Sequence, residues 1–323
     1  MIPSLMSPPS DARDTSTPER LANRCSPRAP ITAYNPLAAS ITYAASKQSY
    51  FTARFLVDRD RVYDAYRAYA YFRWVDDELD RGDSERERRL AFVRRQRTLV
   101  ERLYTGEWPY DLCAEERILA ELVLLDTEER SGLQSYIRNM MAVMEFDANR
   151  RGRLISEREL DTYTKLLATA VTDALHYFIG HMDAPPASAL RYQAAMGAHI
   201  AHMLRDTHED LAAGYYNAPR EMLARSGISP RDVERAPYRA WARERVRQAR
   251  ACFKDGAAYL SQVKSLRCRL AGYAYMERFT GALDAIERDD YRLRPSYSKV
   301  EGVTHGMRMA ASVGWRALLG GNA

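Results

Sequence analysis

The distribution of proline constrains the fold of this chain more than any other feature. No proline occurs between Pro36 and Pro109, or between Pro109 and Pro185. Apolar residues recur at three- and four-residue spacing through both segments, as they do in amphipathic helices. Few runs of Val, Ile or Thr alternate with polar residues, so strands are not indicated. The sequence therefore predicts an all-α fold of about nine helices, near residues 38–56, 60–80, 84–105, 114–125, 130–148, 157–182, 187–214, 231–264 and 269–288.

Composition indicates a globular protein with ends of a different character. The chain has 323 residues, of which 46% are hydrophobic and 28% charged, and its net charge is +5. Acidic and basic residues are mixed along the chain, which argues against a nucleic-acid partner. The first stretch is rich in Pro, Ser and charged residues, which is typical of disorder. We expect a disordered tail over residues 1–35, one domain over 36–305 and a C-terminal tail over 306–323.

The cellular location is predicted from the cysteines and from hydropathy. Four widely separated cysteines show no zinc-binding spacing and give little indication of a disulfide framework. The first residues lack the apolar core of a signal peptide, and no apolar run approaches the length of a membrane span. We therefore expect a cytoplasmic protein. The arginine-rich run over residues 81–103 is expected to be a solvated helix with charge pairs along it, and peripheral attachment to a membrane is the alternative left open.

Two acidic clusters each begin with an arginine and follow a largely apolar or aromatic stretch. They read RWVDDELD over residues 73–80 and RDTHED over residues 205–210. In each cluster two aspartates are four residues apart, so on a helix they share one face and repel by roughly a few tenths of a kcal/mol. The spaced pairs are Asp76 with Asp80, and Asp206 with Asp210.

A bound cation would compensate this repulsion. A single pair of this kind is most often a solvated surface with salt bridges. Two pairs of equal spacing, each closing an apolar helix, favour instead a metal site with hard oxygen ligands. Mg²⁺ suits such ligands because it binds one or two carboxylates and fills its other positions with water and substrate phosphate. The sequence therefore predicts bound Mg²⁺, with Mn²⁺ as the alternative ion.

A substrate that carries a diphosphate follows from this ion. Metal ions bridge carboxylates to phosphate oxygens and neutralise the leaving group. The cations Lys47, Arg73 and Arg205 are candidates to complete the diphosphate site. Aromatic side chains near the first cluster could face a carbocation with their π-systems. This combination suits the ionisation of an allylic diphosphate.

At this point the sequence resembles the squalene/phytoene synthase family. The resemblance covers most of residues 40–300, in family order, and the two aspartate motifs together make it specific. The matching stretches are SKQSYFTARFL (46–56), YAYFRWVDDELD (69–80), EFDANRRGRLISERELDTYTKLLATAV (145–171), LRDTHEDLAAGYYNAPREML (204–223) and YRLRPSYSK (291–299).

The resemblance implies an all-α isoprenoid-synthase bundle with a central cavity. It implies that two C15 or C20 prenyl diphosphates are joined head to head, giving a phytoene- or squalene-like product. NADPH is used in the squalene-forming branch, and its role here stays open. Asp76, Asp80, Asp206 and Asp210 match the family's metal-binding positions. Lys47, Tyr69, Arg73 and Arg205 match positions that hold diphosphate.

Several positions depart from the family pattern. Thr169 and Thr172 stand on the central helix where glycines are usual, and His199 and His202 stand where Gln and Asn are usual. His208 replaces a common glycine, and Phe279 replaces a frequent tyrosine. Asp173 and His176 lie one turn apart on the central helix, although a lone helical histidine is more often structural than catalytic. The candidate catalytic residues are Tyr69, Asp173, His176, His199 and His202.

These departures bear on the product more than on the ionisation step, and they leave two alternatives. A class I terpene cyclase would ionise one prenyl diphosphate and close rings on the same fold. A non-catalytic assembly factor is disfavoured, because it would have no need of the four aspartates and their arginines. The identity of the product distinguishes head-to-head condensation from the cyclase. Mg²⁺-dependent release of diphosphate distinguishes both enzymes from the assembly factor.

Overall fold

A computed structural model of the chain describes residues 36–81 and 86–297. These ranges contain twelve α-helices and, apart from an isolated parallel bridge between Leu154 and Tyr216, no strand. The all-α prediction is therefore confirmed. The tails predicted over residues 1–35 and 306–323 lie outside the described residues. Within the described ranges, none of the helices combines the length and apolar character that a membrane span requires.

The chain divides between Ala148 and Asn149 into two compact units. The helices of the first unit are α1 (Pro36–Ala45), α2 (Lys47–Leu56), α3 (Val62–Asp80), α4 (Arg86–Tyr104), α5 (Ala114–Leu124) and α6 (Gly132–Arg150), which ends just past the division. The helices of the second unit are α7 (Glu157–Phe178), α8 (Gln193–Arg205), α9 (Thr207–Ala213), α10 (Arg220–Ser226), α11 (Ala236–Gln262) and α12 (Leu266–Arg288).

The predicted number of helices was wrong because short-range breaks interrupt two of the predicted segments. Ser46 separates α1 from α2: its backbone is extended, and its hydroxyl accepts a hydrogen bond from the Ser49 N–H at 3.0 Å, as an N-cap does. Asp206 separates α8 from α9, with φ −97° and ψ 12°. The helix α10, which follows Pro219, is too short to produce a recognisable hydrophobic period.

Helix α8 ends at Arg205, where the second aspartate motif begins, and it packs against α7, α11 and α12 in the second unit. Two glycines allow α8 to approach α11 closely. A Cβ on Gly197 would stand 2.9 Å from the carbonyl oxygen of Ala249. A Cβ on Gly256 would stand 2.6 Å from the backbone nitrogen of Ala194. The position of α8 therefore depends on direct contact between the two backbones.

The arginine-rich run forms α4 apart from its first residues, of which 82–85 lie outside the described ranges. Two of its ion pairs reach another helix, whereas the prediction placed pairs along the helix itself. Arg97 pairs with Glu145 at 2.7 Å, and Glu101 pairs with Arg138 at 2.8 Å, and both partners lie on α6. These pairs connect two helices instead of supporting one.

Candidate active site

The first aspartate motif lies at the end of α3 in the first unit. Asp76 is buried, with 6% of its surface exposed, whereas Asp80 at the end of the helix is exposed. Burial raises the pKa of Asp76 to about 7, and the charges of Asp80 and Asp147 act in the same direction against Arg73. Asp147, which the sequence did not single out, is also buried. The end of α3 therefore places the buried carboxyl of Asp76 close to other acidic groups, which disfavours its charged form.

Arg73 is held at this motif by two aspartates. Its Nη2 lies 2.5 Å from Oδ1 of Asp77, and its Nη1 lies 3.8 Å from Oδ2 of Asp76. The side chain of Arg73 is about one quarter exposed, at 24%. The guanidinium can therefore face solvent or a bound anion while it remains attached to the motif.

Two serines missed by sequence analysis lie beside Tyr69. Burial raises the pKa of Tyr69, and hydrogen bonds with Ser46 and Ser49 oppose that rise. Lys47 follows Ser46 at the first position of α2, and its exposed ammonium lies 5.7 Å from the ring centre of Tyr43. The start of α2 thus brings hydroxyl groups to the predicted diphosphate residue Tyr69. The signal was present in the quoted stretch SKQS.

The second aspartate motif begins at the break between α8 and α9, in the second unit. Arg205 binds both carboxylate oxygens of Asp206: Nε donates to Oδ1 at 2.6 Å and Nη2 donates to Oδ2 at 2.7 Å. His202 lies on α8 one turn before Asp206, and its Nε2 is 3.1 Å from Oδ2 of Asp206. The structure therefore brings together three residues that the sequence assigned to the site.

Asp210 is the buried member of this motif, with 4% exposed. Its Oδ2 accepts a hydrogen bond from Nδ2 of Asn217 at 2.6 Å, and its Oδ1 has no hydrogen-bond partner among the described residues. Burial raises the pKa of Asp210 to about 7, and the charge of Asp206 adds to the rise while Arg150 and Asn217 oppose it. Asp76 and Asp210 thus have the same character: a buried carboxylate at each motif.

His199 and His202 are both buried on α8. Burial lowers the pKa of each ring well below its usual range, so both are neutral near pH 7. His199 packs edge-on against Tyr163 at 4.9 Å between ring centres, and its Nε2 has no hydrogen-bond partner among the described residues. His202 packs against Phe279 at 5.9 Å. The predicted catalytic role of both histidines stays a prediction.

Asp173 and His176 have protein partners that account for their polarity. Asp173 accepts a hydrogen bond from Arg191 at 2.8 Å. Nε2 of His176 lies 2.8 Å from the hydroxyl of Tyr259, and its Nδ1 lies 3.7 Å from Sγ of Cys268. Burial lowers the pKa of His176 to about 4. These contacts join α7 to α11 and α12 without any substrate, and a catalytic role for the pair stays a prediction.

The carboxylates of the two aspartate motifs are ligands of the type that Mg²⁺ binds. Among residues 36–81 and 86–297, no group of three or more His, Cys, Asp or Glu side chains is placed to hold a metal ion. Each motif supplies a pair of carboxylates, and Mg²⁺ commonly takes only one or two from a protein. The unpartnered Oδ1 of Asp210 is the kind of buried acceptor that a cation would satisfy.

A profile of the squalene/phytoene synthase family matches residues 43–302, which include both aspartate motifs. The chain belongs to the squalene/phytoene synthase family. This membership confirms the resemblance drawn from the sequence. The assignment of individual site residues does not follow from it and stays a prediction.

Curated relatives in this family include two bacterial proteins and one plant protein. The presqualene diphosphate synthase of Zymomonas mobilis is 30% identical over 200 residues, which are 61% of this chain and 64% of that protein. The enzyme of the same name from Rhodopseudomonas palustris is 27% identical over 57% of this chain and 62% of its own. The chloroplastic phytoene synthase 1 of Zea mays is 25% identical over 82% and 63%. The matches thus span less than two thirds of each relative.

Solved structures show the same fold at lower identity. A squalene synthase from Alicyclobacillus acidocaldarius superposes with a TM-score of 0.61 at 19% identity, over 80% of this chain and 94% of that one. A dehydrosqualene synthase solved with a ligand superposes with a TM-score of 0.63 at 17% identity, over 85% and 95%. These similarities identify the fold as that of squalene synthases. They give no support to the cyclase alternative.

Proposed function

We propose that this protein is a Mg²⁺-dependent prenyltransferase that joins two C15 or C20 prenyl diphosphates head to head. The observation that carries the proposal is that both aspartate motifs of this squalene/phytoene synthase family member contain a buried aspartate, Asp76 or Asp210, and an arginine paired with an aspartate of the same motif. Burying a carboxylate is costly unless a cation or hydrogen bonds compensate it. The names of the two presqualene diphosphate synthases favour a cyclopropylcarbinyl diphosphate as the first product.

The proposed roles follow the two motifs. Asp76, Asp80, Asp206 and Asp210 would hold Mg²⁺, which when bound neutralises charge on the diphosphate leaving group. Lys47, Arg73 and Arg205 would bind the diphosphate oxygens, because guanidinium groups match phosphate geometry and ammonium groups supply a point charge. The hydroxyl groups of Ser46, Ser49 and Tyr69 would add hydrogen bonds to the same group.

The proposed condensation joins two prenyl diphosphates. In one substrate the allylic C–O bond breaks and diphosphate leaves. The double bond of the second substrate attacks the resulting cation, and loss of a proton closes the cyclopropane ring. Two substrates therefore give one cyclopropylcarbinyl diphosphate, one diphosphate and one proton. The proposal includes no NADPH, for which the comparisons give no support.

Release of diphosphate tests the proposal. Purified protein incubated with a prenyl diphosphate should release diphosphate only when Mg²⁺ is present, and a chelator should stop the release. Asp76→Ala and Asp206→Ala should each abolish release while circular dichroism remains that of the wild type. Asp183→Asn, at an exposed position on the second unit, is the matched control and should keep full activity. Full activity of either alanine variant would contradict the metal-binding role.

A further inference from the structure

A chain of buried polar contacts lies behind Asp210 in the second unit. Arg150, at the end of α6, donates a hydrogen bond from Nη1 to Oδ1 of Asn217 at 2.8 Å. Asn217 in turn donates from Nδ2 to Oδ2 of Asp210 at 2.6 Å. Arg150 and Asn217 are 2% and 3% exposed. Neither was assigned a role by sequence analysis or by the comparisons.

Arg150 is fixed within this chain by two aromatic rings. The centre of its guanidinium lies 4.9 Å from the ring centres of both Tyr163 and Tyr215. Cation–π contacts of this kind are strongest where water is excluded. The two rings therefore leave the guanidinium little freedom to turn away from Asn217.

The chemistry of its two neighbours fixes which way the amide of Asn217 faces. A guanidinium can only donate hydrogen bonds, so the oxygen of the amide must face Arg150. The amide nitrogen must then face Asp210, to whose Oδ2 it donates. The backbone around Asn217 is also held, because Gly152 N–H donates to the Gly214 carbonyl at 2.8 Å and Arg220 N–H donates to the Ile155 carbonyl at 2.8 Å.

The two oxygens of the Asp210 carboxylate therefore differ in their hydrogen bonding. Oδ2 of Asp210 is bound by Asn217, while Oδ1 is buried without a hydrogen-bond partner among the described residues. We propose that Arg150 and Asn217 are positioning residues, which orient the Asp210 carboxylate so that Oδ1 is presented to the divalent cation. Residues that orient a metal ligand in this way typically change metal affinity by about 10–100-fold when mutated. The inference rests on the proposed function, because it assumes that Asp210 binds a divalent cation.

Binding of Mn²⁺ measured by electron paramagnetic resonance tests the inference without any turnover. The part of the binding that Asp210→Asn removes defines the site that depends on Asp210. Asn217→Leu keeps the shape of the side chain but removes the hydrogen bond, and it should weaken Mn²⁺ at this site about 10–100-fold. Arg150→Met keeps a long apolar side chain between the rings but frees the amide to turn, and it should also weaken binding. Arg150→Lys, which can still donate to the amide, should restore part of the affinity.

The double variant Arg150→Met/Asn217→Leu separates positioning from stability. Removing one partner of a buried hydrogen bond is costly, whereas replacing both with apolar groups can be nearly neutral. The double variant should therefore recover thermal stability relative to the single variants while its Mn²⁺ affinity stays low. The matched controls are Asn139→Leu, whose amide bonds within its own helix, and Arg158→Met, which is exposed; both should bind Mn²⁺ like the wild type.

Two results would overturn the inference, and only one of them would also overturn the proposed function. Wild-type Mn²⁺ affinity in Asn217→Leu, or in the double variant, would exclude positioning but leave the proposed function intact. Failure of the wild-type protein to bind Mn²⁺ at Asp210 would remove the basis of both. If a single variant does not fold, the double variant and Arg150→Lys still decide the outcome.

Discussion

Replacement of Asp210 by asparagine gives a sharp prediction about stability and pH. The pKa of this carboxyl is raised from 3.8 to about 7, chiefly by burial. Below pH 3.8 the carboxyl is protonated in both the folded and the unfolded chain. Between pH 3.8 and about 7 the unfolded chain loses the proton while the folded protein keeps it, so stability falls as the pH rises. Above about pH 7 the full cost of the buried charge is present.

The size of the effect follows from the same pKa values. Each pH unit between the unfolded pKa of 3.8 and the folded pKa of about 7 lowers the free energy of unfolding by about 1.4 kcal/mol. The wild-type protein should therefore lose about 3 kcal/mol through Asp210 between pH 5 and pH 8. Asp210→Asn does not titrate, and its amide oxygen can still accept the hydrogen bond from Asn217. Relative to the wild type, the variant should gain about 3 kcal/mol over this pH range, and any pH-independent effect of the substitution cancels.

Thermal unfolding in a chelating buffer at pH 5 and pH 8 measures this gain. For a unit of roughly 150–250 residues, 1 kcal/mol moves the melting temperature by about 2–4 °C. The difference between the variant and the wild type should thus grow by about 6–12 °C from pH 5 to pH 8. Asp183→Asn, at an exposed position, should show no such growth. A difference for Asp210→Asn that is the same at both pH values would refute the account of a buried carboxylate in need of a cation.

Three further substitutions test other parts of the structure. Gly256→Ala should destabilise the protein by about 1–3 kcal/mol in urea unfolding, because the new Cβ would overlap the backbone of Ala194 at 2.6 Å; unchanged stability would show that the helices can separate there at no cost. Tyr259→Phe should cost about 1–3 kcal/mol, since it removes the partner of the buried His176 ring; a smaller loss would mean that water replaces the hydroxyl. His202→Asn should alter the distribution of products more than the rate of diphosphate release, and an identical product profile would leave His202 a packing residue.

The fold was predictable from the sequence because helical periodicity is a local property. Long segments without proline gave the helical class, and the motifs gave the family. The helix boundaries were less predictable, since single side chains decide them. Ser46 ends one helix and caps the next with its own hydroxyl, and Asp206 divides the segment 187–214, which the sequence predicts as one helix.

The candidate site was predictable only in part, because its supporting contacts are distant along the chain. The aspartates were found by their spacing. Arg150 reaches Asn217 across 67 residues, and no periodic pattern connects them. Asp173 and His176 were also found by their spacing, whereas their contacts with Arg191 and Tyr259 appear only in the structure. Spacing identifies groups on one helix, and tertiary packing decides which other groups they meet.

The mass of the product tests the proposed function most directly. The protein should be incubated with Mg²⁺ and, in separate reactions, with farnesyl or geranylgeranyl diphosphate. Treatment with a phosphatase before extraction allows a product that retains its diphosphate to be detected as an alcohol. A product with twice the carbon number of the substrate is predicted, C30 from farnesyl or C40 from geranylgeranyl diphosphate. A product with the substrate's own carbon number, formed only by active protein, would contradict head-to-head condensation.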